Sequence, residues 1–534
     1  NSRTISEAAQ GLCNFIVDTK GADGNSDCVV VGYEARRSSK QFAILSCRIL
    51  AANGVRSQLF DGPRSTPELS FAVRHLGATA GVQITASHNP RTDNGFKFYW
   101  SDGAQIVPPD DIRFMELVSA VNEISLVSMD DAVRDGFVSY VGDEIDKQYV
   151  TAICGLSTYG NRSSTVVFSP MHGVGATNVL PVLKETGFHV TSVQDQLDPD
   201  EDFPTAVDDL INPEFLEVMD RSIDLATQLN TDLAICSDPD ADRIGVAAKS
   251  VLQSPDMTFL TGNQVGAALT HYLLSHRHDN GILSHQDVVL TTLVTTTLVS
   301  DIVVSFGLLP RANLPVGFKF IAQAIGQIEE DQSFVFAAEE SLGYLAGYFV
   351  RDKDAAIASL LVCEMVSWLK DKGQTLPMYL DTLYEKYGYY KNILLLLELP
   401  GRSGSDLIDV LMGRLHVDPP REIGGFSVRT NVDYLGYDAE YGDDYAVDQS
   451  TNEEVSLFLS NDKRTRVIIR PSGTEPKLKI YIQHFGMVMN TLEESKLAVD
   501  GTAMDIGENV KDYCRSILPP DRLGFWDHAD IRVV

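Results

Sequence analysis

The strongest constraint on the fold is a repeating order of short β-branched strand, polar loop and amphipathic helix. In its first occurrence, Cys28–Gly32 is predicted as a strand, Tyr33–Ser39 as a loop and Lys40–Ala52 as a helix. Alternating strands and helices of this kind predict α/β domains built from βαβ units. Ligands in such domains bind at the loops that follow the carboxyl ends of the strands, so functional residues are expected there. The order recurs at Thr165–Phe168 with Asn178–Glu185 and at Val288–Val294 with Leu298–Phe306.

The last quarter of the chain has a different pattern. After the stretch Leu399–Gly404, one helix near Asp406–Leu415 precedes two strands, Arg466–Arg470 and Lys479–Ile482, which is typical of an α+β domain. A chain of 534 residues is long enough for several domains of about 150 residues each. We therefore predict four domains, at residues 1–162, 163–260, 261–391 and 392–534, and assign no role to the tail Pro519–Val534.

Acidic residues dominate the composition and exclude some classes of partner. The chain has 74 Asp and Glu against 43 Lys and Arg, a net charge of −31. This charge repels nucleic acid and anionic membrane surfaces, so neither is expected as a partner, whereas a small anionic substrate requires cations gathered locally. No apolar run approaches the roughly 18 residues of a membrane span. Seven scattered cysteines without a CxxC pattern favour reduced thiols and a cytoplasmic location.

The first loop whose residues could take part in catalysis follows the predicted strand Gly81–Ile84. It carries Ser87 and His88, with Lys97 ten residues after the serine. A serine hydroxyl beside groups that can move its proton can act as a nucleophile. A lone Ser–His pair is equally typical of a turn or a helix cap, so this loop gains weight only in combination with others.

A second loop, after the predicted strand Leu233–Cys236, carries Asp238, Asp240 and Asp242. Three carboxylates at alternating positions can converge on one hard divalent cation. An EF-hand is excluded, because Arg243 stands at the position of its glycine and Lys249 at that of its final glutamate. Oxygen-only ligation that leaves room for a phosphate oxygen favours Mg²⁺ over Ca²⁺ or Zn²⁺.

A third loop, after the predicted strand Phe334–Ala337, begins with Glu339, Glu340 and Ser341. Adjacent acceptors at the end of a strand suit sugar hydroxyl groups. The same residues are also common on solvated surfaces, so the signal is weak by itself.

The fourth loop is Arg470–Lys477, between the two predicted C-terminal strands. An arginine, two hydroxyls and a glycine that lets backbone N–H groups approach can form a phosphate cradle. A plain β-turn is the alternative. Together the four loops supply a hydroxyl nucleophile, a metal site, hydroxyl acceptors and a phosphate clamp, the parts needed to transfer a phosphoryl group to and from a sugar.

The motifs TASHNP, NGFK, DPDADR, EESLG and RPSGTEP, in this order, resemble those of the α-D-phosphohexomutase family. The resemblance runs from about residue 28 to about residue 485 and is greatest to the bacterial-type phosphoglucomutase/phosphomannomutase branch, which includes phosphopentomutase-like members. It implies three similar α/β domains with mixed sheets and a smaller C-terminal α+β domain around a central cleft. It also implies a reversible exchange between a sugar 1-phosphate and its 6-phosphate, through a phosphoserine and a sugar 1,6-bisphosphate.

The resemblance also implies roles for individual residues. Ser87 would carry the phosphoryl group and, with Asp238, Asp240 and Asp242, would hold Mg²⁺. Groups near the reacting phosphate would be Arg36, His88, Lys97 and Arg243. Sugar and phosphate contacts would come from Lys319, Glu339, Ser341, Arg470, Ser472, Gly473 and Thr474.

Two positions depart from the family pattern. Glu34 stands where the family usually has aspartate, and no histidine follows the Glu339–Ser341 pair as it does in some relatives. The preferred sugar is expected to be glucose, with mannose or a pentose as alternatives. A phosphatase and a non-catalytic sugar-phosphate-binding protein are the competing functions, and a monomer or a dimer is expected.

Overall fold

The computed structural model of the chain describes residues 1–20, 27–399, 402–435, 451–472, 477–518 and 530–533. The chain divides into two compact units. The first comprises Asn1–Val265, Gln286–Val289 and Gly317–Met378, and the second comprises Gly266–His285, Leu290–Val316 and Tyr379–Val534. Within the described ranges, no helix combines the length and the apolar character that a membrane span requires.

The N-terminal α/β region is built on a mixed five-stranded sheet. Its strands β1 to β5 cover Cys28–Tyr33, Arg56–Phe60, Ala80–Ile84, Phe96–Trp100 and Val138–Val141. Its helices α1 to α6 cover Ser2–Lys20, Ser39–Ala52, Thr66–His75, Asp110–Ser119, Met129–Arg134 and Asp143–Cys154. The strand order is β4-β3-β1-β2-β5, in which only β4 runs antiparallel to its neighbour. Because β1 is buried almost throughout, its sequence is a continuous β-branched run rather than an alternating one.

The second α/β region repeats this arrangement. Strands β6 to β10 cover Thr165–Ser169, His189–Ser192, Leu233–Ser237, Ile244–Lys249 and Met257–Leu260, and helices α7 and α8 cover Gly175–Glu185 and Leu216–Leu229. The strand order is β10-β9-β8-β6-β7. β6 is parallel to β7 and β8, whereas β9 is antiparallel to β8 and β10. The acidic loop predicted from the sequence is the turn between β8 and β9.

The third α/β region contributes to both units. Strands β11 to β14 cover Asp287–Thr292, Arg311–Leu314, Ser333–Ala338 and Tyr344–Leu345. Helices α9 to α13 cover Gly262–Asp279, Thr297–Ser305, Phe318–Gly326, Ala355–Asp371 and Leu376–Tyr387. β11 pairs in parallel with β12, and β13 pairs antiparallel with β14. The predicted strand Val288–Val294 ends at Thr292, because the next three residues form a turn.

A C-terminal antiparallel sheet lies in the second unit. Strands β15 to β22 cover Tyr389–Glu398, Glu422–Ile423, Phe426–Ser427, Thr430–Leu435, Thr451–Phe458, Arg466–Pro471, Lys477–Gly486 and Asp530–Val533, and helices α14 and α15 cover Arg402–Val417 and Leu492–Ile517. The main sheet has the order β18-β19-β20-β21-β15-β22. Alternating residues such as Ile393 and Leu395 belong to the cluster that joins this sheet to its helices. The only described part of the predicted tail, β22, pairs with β15.

These regions confirm the predicted fold class of three α/β domains followed by a smaller α+β domain. The sheets are mixed because a β-hairpin adds an antiparallel strand at one edge of the first and second sheets. The boundaries between the four predicted domains stay a prediction.

Candidate active site

The loop after β3 places Ser87 in an uncommon backbone conformation. Ser87 has a φ of 52°, in the left-handed region that residues with a side chain rarely occupy. Its N–H donates to Thr85 Oγ1 at 2.8 Å, and the Thr85 hydroxyl donates to Glu34 Oε1 at 2.6 Å. A strained residue costs about 1–3 kcal/mol and persists only where its surroundings hold it. The contacts to Thr85 and Glu34 therefore fix the direction in which Ser87 presents its hydroxyl.

The Arg36 guanidinium holds the backbone of the same loop. Its Nε donates to Glu34 Oε1 at 2.7 Å, and both side chains are fully buried. Its terminal nitrogens donate to the carbonyl oxygens of Ser87 at 2.5 Å, Asn89 at 2.6 Å, Pro90 at 2.6 Å and Asp93 at 3.1 Å. A guanidinium has about five N–H donors, so these contacts account for all of them. The geometry makes Arg36 a positioning residue for the serine loop, and its place near the reacting phosphate stays a prediction.

Glu34, the first departure from the family pattern, reaches both of its partners despite its longer side chain. One carboxylate oxygen accepts from Arg36 and from Thr85. Burial raises the pKa of Glu34 to about 7, with Arg36 opposing the shift and Asp240 reinforcing it. The replacement of aspartate by glutamate therefore leaves the support of the serine loop intact.

The turn between β8 and β9 brings three carboxylates together. One oxygen from each of Asp238, Asp240 and Asp242 lies within 4.8 Å of the other two, and the three residues are at most 1 % exposed. Asp238 Oδ1 accepts from the backbone N–H groups of Asp242 and Arg243, both at 3.0 Å. These bonds close the turn, so the backbone conformation orients the three acidic side chains toward a common point.

The serine loop and the aspartate turn meet at Ser87. Its Oγ donates to Asp238 Oδ2 at 2.9 Å, although the two residues are 151 positions apart in the sequence. His88 Nδ1 lies 3.3 Å from the same Oγ. The predicted nucleophile, a predicted metal ligand and a candidate proton carrier therefore share one site.

The aspartate turn fits a divalent cation. Burial, followed by the nearby carboxylates of Asp242 and Asp240, raises the pKa of Asp238 well above its ordinary value. Among the described residues, Oδ1 of Asp240 and Oδ1 of Asp242 are buried and have no hydrogen-bond partner. A hard cation would satisfy these oxygens and relieve the repulsion. Three clustered carboxylates suit a hard divalent cation, and its identity as Mg²⁺ stays a prediction.

Positively charged side chains neutralise the aspartate turn in the structure. Lys97 Nζ donates to Asp240 Oδ2 at 2.7 Å and to Asp242 Oδ2 at 3.2 Å. Arg243 Nε lies 3.7 Å from Asp242 Oδ1. Burial alone would lower the pKa of Lys97, but Asp240 and Asp242 outweigh burial and hold that pKa above the ordinary lysine value. Lys97 therefore brings positive charge to the aspartate turn in this geometry.

Lys353 is a site residue that sequence reasoning missed. Its Nζ lies 2.9 Å from Asp242 Oδ2 and donates to Asp352 Oδ1 at 3.3 Å. Asp352 also accepts from the Tyr99 hydroxyl at 2.7 Å. Tyr99 follows Lys97 by two positions on β4, so the two side chains emerge from the same face of that strand. The available signal was the run Arg351–Asp354, four consecutive charged residues directly before an apolar helix.

The predicted sugar loop, Glu339–Gly343 between β13 and β14, is hydrogen-bonded to the aspartate turn. Gly343 forms an antiparallel bridge with Arg243, and the Ile244 N–H donates to the Leu342 carbonyl at 3.3 Å. A Cβ on Gly343 would lie 2.6 Å from Lys353 Cδ. Glycine at this position therefore lets the lysine side chain pass between the two loops.

The predicted sugar ligands Glu339 and Ser341 lie on this loop. Glu339 is buried, and burial raises its pKa to about 7, with Lys353 opposing the shift and Glu340 reinforcing it. Its backbone N–H donates to the Gly343 carbonyl at 2.9 Å. Ser341 is partly buried. The loop is thus placed beside the aspartate turn by the main-chain pairing of Leu342 and Gly343 with that turn.

Lys319, at the start of α11, has a carboxylate partner that the sequence did not indicate. Its Nζ donates to Asp111 Oδ2 at 2.7 Å. The ring of the preceding residue, Phe318, has its centroid 5.9 Å from Lys353 Nζ. The start of α11 therefore lies near the cations that surround the aspartate turn.

The predicted phosphate loop belongs to the second unit. Arg470 Nε lies 3.2 Å from Oε1 of the buried Glu454, on the neighbouring strand β19. The Ser472 N–H donates to the Lys477 carbonyl at 2.8 Å. Gly473 and Thr474 lie outside the described residues.

Three ranges of the chain match the family described as phosphoglucomutase/phosphomannomutase. They correspond to its alpha/beta/alpha domain I at residues 1–123, domain II at residues 147–251 and domain III at residues 261–387. A phosphoglucomutase of Staphylococcus aureus (strain N315) is 33 % identical over 492 residues, which cover 90 % of this chain and 86 % of that protein.

Solved structures show the same fold. Parafusin, a phosphoglucomutase from Paramecium, superposes with a TM-score of 0.68 at 18 % identity and covers 99 % of this chain and 94 % of its own. A phosphoglucomutase/phosphomannomutase family protein from Burkholderia thailandensis gives a TM-score of 0.66 at 17 % identity, covering 97 % and 94 %. From the matched domains and the identity to the Staphylococcus enzyme, the chain belongs to the phosphoglucomutase/phosphomannomutase family, the α-D-phosphohexomutases, which are phosphotransferase isomerases.

Proposed function

We propose that the chain interconverts glucose 1-phosphate and glucose 6-phosphate through a phosphorylated Ser87 and glucose 1,6-bisphosphate. The observation that carries this proposal is the 2.9 Å contact between Ser87 Oγ and Asp238, inside a buried acidic site lined by cations. Glucose is the proposed sugar because the Staphylococcus relative is named a phosphoglucomutase. The EES form of the sugar loop also resembles glucose-preferring members of the family.

The reaction consists of two phosphoryl transfers. In the first, the bond between phosphorus and Ser87 Oγ breaks while a bond forms between phosphorus and the oxygen of the free sugar hydroxyl, whose proton passes to solvent. In the second, the bond between phosphorus and the sugar oxygen at the other end of the bisphosphate breaks, that oxygen takes a proton from solvent, and the phosphoryl group returns to Ser87 Oγ. His88, 3.3 Å from that oxygen, is placed to give it a proton in the first transfer and remove the proton in the second.

The remaining groups of the site stabilise charge and hold the transferring group. Lys97, Lys353 and Arg243 bring positive charge to the aspartate turn. Mg²⁺ held by Asp238, Asp240, Asp242 and a phosphate oxygen on Ser87 would offset the negative charge on that group when bound. Arg36 keeps the serine loop in place from its buried position.

Recognition of the sugar must tolerate both of its orientations, because the two ends of the bisphosphate take turns at Ser87. Glu339 and Ser341 are proposed to accept from sugar hydroxyls. The phosphate that is not being transferred is proposed to bind Arg470, Ser472, Gly473 and Thr474. Lys319 is proposed to contact the sugar or one of its phosphates.

Phosphopeptide mapping after incubation with glucose 1,6-bisphosphate tests the phosphoserine. One phosphoryl group on the peptide that contains Ser87 is expected. Modification of another residue, or none in enzyme that turns over, would contradict the proposal.

An activity panel tests the sugar. The expected order of kcat/KM places glucose 1-phosphate above mannose 1-phosphate and ribose 1-phosphate, and a reversed order would reassign the substrate within the same chemistry. Release of inorganic phosphate at the rate of substrate loss would indicate a phosphatase. Binding without turnover at saturating Mg²⁺ and bisphosphate would indicate a sugar-phosphate-binding protein.

We also propose the four domains with boundaries near residues 163, 261 and 392, and a monomer or dimer in a cytoplasmic setting. All seven cysteines are free thiols, which supports a reducing compartment. Sedimentation analysis of the full chain tests the oligomeric state.

A further inference from the structure

The ion pair between Lys319 and Asp111 has a geometry that a substrate phosphate could replace. The two groups are 2.7 Å apart and come from helices α11 and α4, 208 positions apart in the sequence. Their side chains are 31 % and 25 % exposed, so water and solutes reach both of them. The pair therefore differs from the sealed ion pair of Glu34 and Arg36, whose side chains are fully buried.

Asp111 can release the lysine without becoming an uncompensated charge. It lies in the first turn of α4, where the positive end of the helix dipole stabilises a carboxylate by about 0.3–1 kcal/mol. Its second oxygen, Oδ1, is buried and has no hydrogen-bond partner among the described residues. Asp111 thus contributes one charge and one hydrogen bond to Lys319, whereas a phosphate dianion would contribute more of both.

We propose that the Asp111 carboxylate competes with a substrate phosphate for Lys319 and thereby sets the affinity for phosphosugars. This inference rests on the proposed function, because it requires that a phosphate of the substrate binds Lys319. A phosphate at Lys319 competes with Asp111 for the ammonium N–H groups and is repelled by the nearby carboxylate. Asp111 therefore weakens binding of both the monophosphates and the bisphosphate, which favours release of product.

The test measures binding of glucose 1-phosphate by titration calorimetry in a Ser87→Ala background, where no turnover interferes. In that background, Asp111→Asn is expected to lower Kd by about fivefold, from the loss of one competing ion pair worth about 1 kcal/mol. Asp111→Ser is a second variant that removes the charge and suits the first turn of a helix. Thermal unfolding verifies that each variant is folded.

Asp110→Asn is the matched control. Asp110 is an exposed neighbour in the same helical turn, and its replacement makes the same change in net charge. Its Kd is expected to stay within about twofold of the parent, because an exposed charge contributes little at this distance. If the two substitutions change Kd equally, the change comes from the net charge alone, and the proposal is overturned.

A double-mutant cycle with Lys319→Met tests whether Asp111 acts through the lysine. In the Lys319→Met background, Asp111→Asn is expected to change Kd by less than about twofold. An undiminished effect, or weaker binding in Asp111→Asn itself, would overturn the proposal. Failure of the Ser87→Ala parent to bind either glucose 1-phosphate or glucose 1,6-bisphosphate would instead contradict the proposed function.

Discussion

The groups proposed to transfer the phosphoryl group and the groups proposed to recognise the substrate are held in different ways. The aspartate turn is buried and the serine loop is anchored by the buried Arg36, and each depends on several hydrogen bonds to backbone atoms. Lys319, proposed for recognition, is partly exposed and forms an ion pair with the Asp111 carboxylate. Reacting atoms need a fixed geometry, whereas a binding group needs a counterion that the ligand can displace.

Two ion pairs within the first unit make the contrast quantitative. The pair of Glu34 and Arg36 is fully buried, and breaking such a pair costs about 3–5 kcal/mol. The pair of Asp111 and Lys319 is about a quarter exposed, and exposed pairs contribute about 0–1 kcal/mol. Substitutions at the first pair should therefore affect both stability and turnover, whereas those at the second should alter binding.

The largest effect is expected from Ser87→Ala. Loss of the nucleophile should lower kcat by at least about 10⁴-fold, because the proposed route runs through a covalent phosphoserine. The melting temperature should hardly change, since the partly buried side chain has only the contacts with Asp238 and His88 among the described residues. Thr92→Ala removes an exposed hydroxyl from the same loop and should leave the rate unchanged. Near-normal turnover by Ser87→Ala would refute a fixed nucleophile at this loop.

Removal of divalent cations is expected to have the next largest effect. Dialysis against EDTA should lower kcat by about 10³-fold, the equivalent of several kcal/mol of lost charge stabilisation, and Mg²⁺ should restore the rate. Asp240→Asn should weaken Mg²⁺ binding and raise the Mg²⁺ concentration that gives half-maximal rate. Full activity in EDTA-treated protein that retains no metal by elemental analysis would contradict the assignment of the aspartate turn.

Arg36→Lys should lower both stability and turnover. An ammonium group cannot replace all five contacts of the guanidinium, so the serine loop loses support. We expect a loss of about 3 kcal/mol in the free energy of unfolding and a fall in kcat of about 100-fold with little change in KM. Arg37→Lys, at an exposed neighbour, is the control. A change confined to KM would indicate that Arg36 binds substrate instead of the loop.

The smallest effect is expected from Tyr99→Phe. The substitution removes the hydroxyl that donates to Asp352, which in turn contacts Lys353. A loss of about 1–3 kcal/mol in unfolding free energy and a fall in kcat of about threefold to tenfold are expected. Tyr140→Phe, at a mostly exposed tyrosine, should change neither quantity. An unchanged kcat in Tyr99→Phe would show that Lys353 does not depend on this network.

The sequence predicted the fold class and brought the serine and the aspartates into one site because both depend on local patterns. Strands such as β3 and β8 are apolar runs that end in polar loops, and loops at strand ends carry ligands in α/β domains. Those signals located Ser87 and Asp238 without any knowledge of their 2.9 Å contact.

The sequence could not predict which distant residues complete the site. Lys353 contacts Asp242 only because the sugar loop and the aspartate turn pair through their backbones, which no local pattern encodes. The direction of the Arg36 side chain depends on the path of a loop more than fifty residues away. The partner of Lys319 is Asp111, which lies 208 residues earlier at the start of a helix. The local sequence around Asp111 does not indicate this contact.

Passage of the phosphoryl group through Ser87 is tested most directly by a pulse–chase experiment. Enzyme labelled by ³²P-glucose 1,6-bisphosphate is freed of ligand and then mixed with unlabelled glucose 1-phosphate and Mg²⁺. Loss of label from the Ser87 peptide should match, mole for mole, its appearance in glucose 1,6-bisphosphate and glucose 6-phosphate within one turnover. Label that stays on the peptide during turnover, or leaves as inorganic phosphate, would contradict the shuttle.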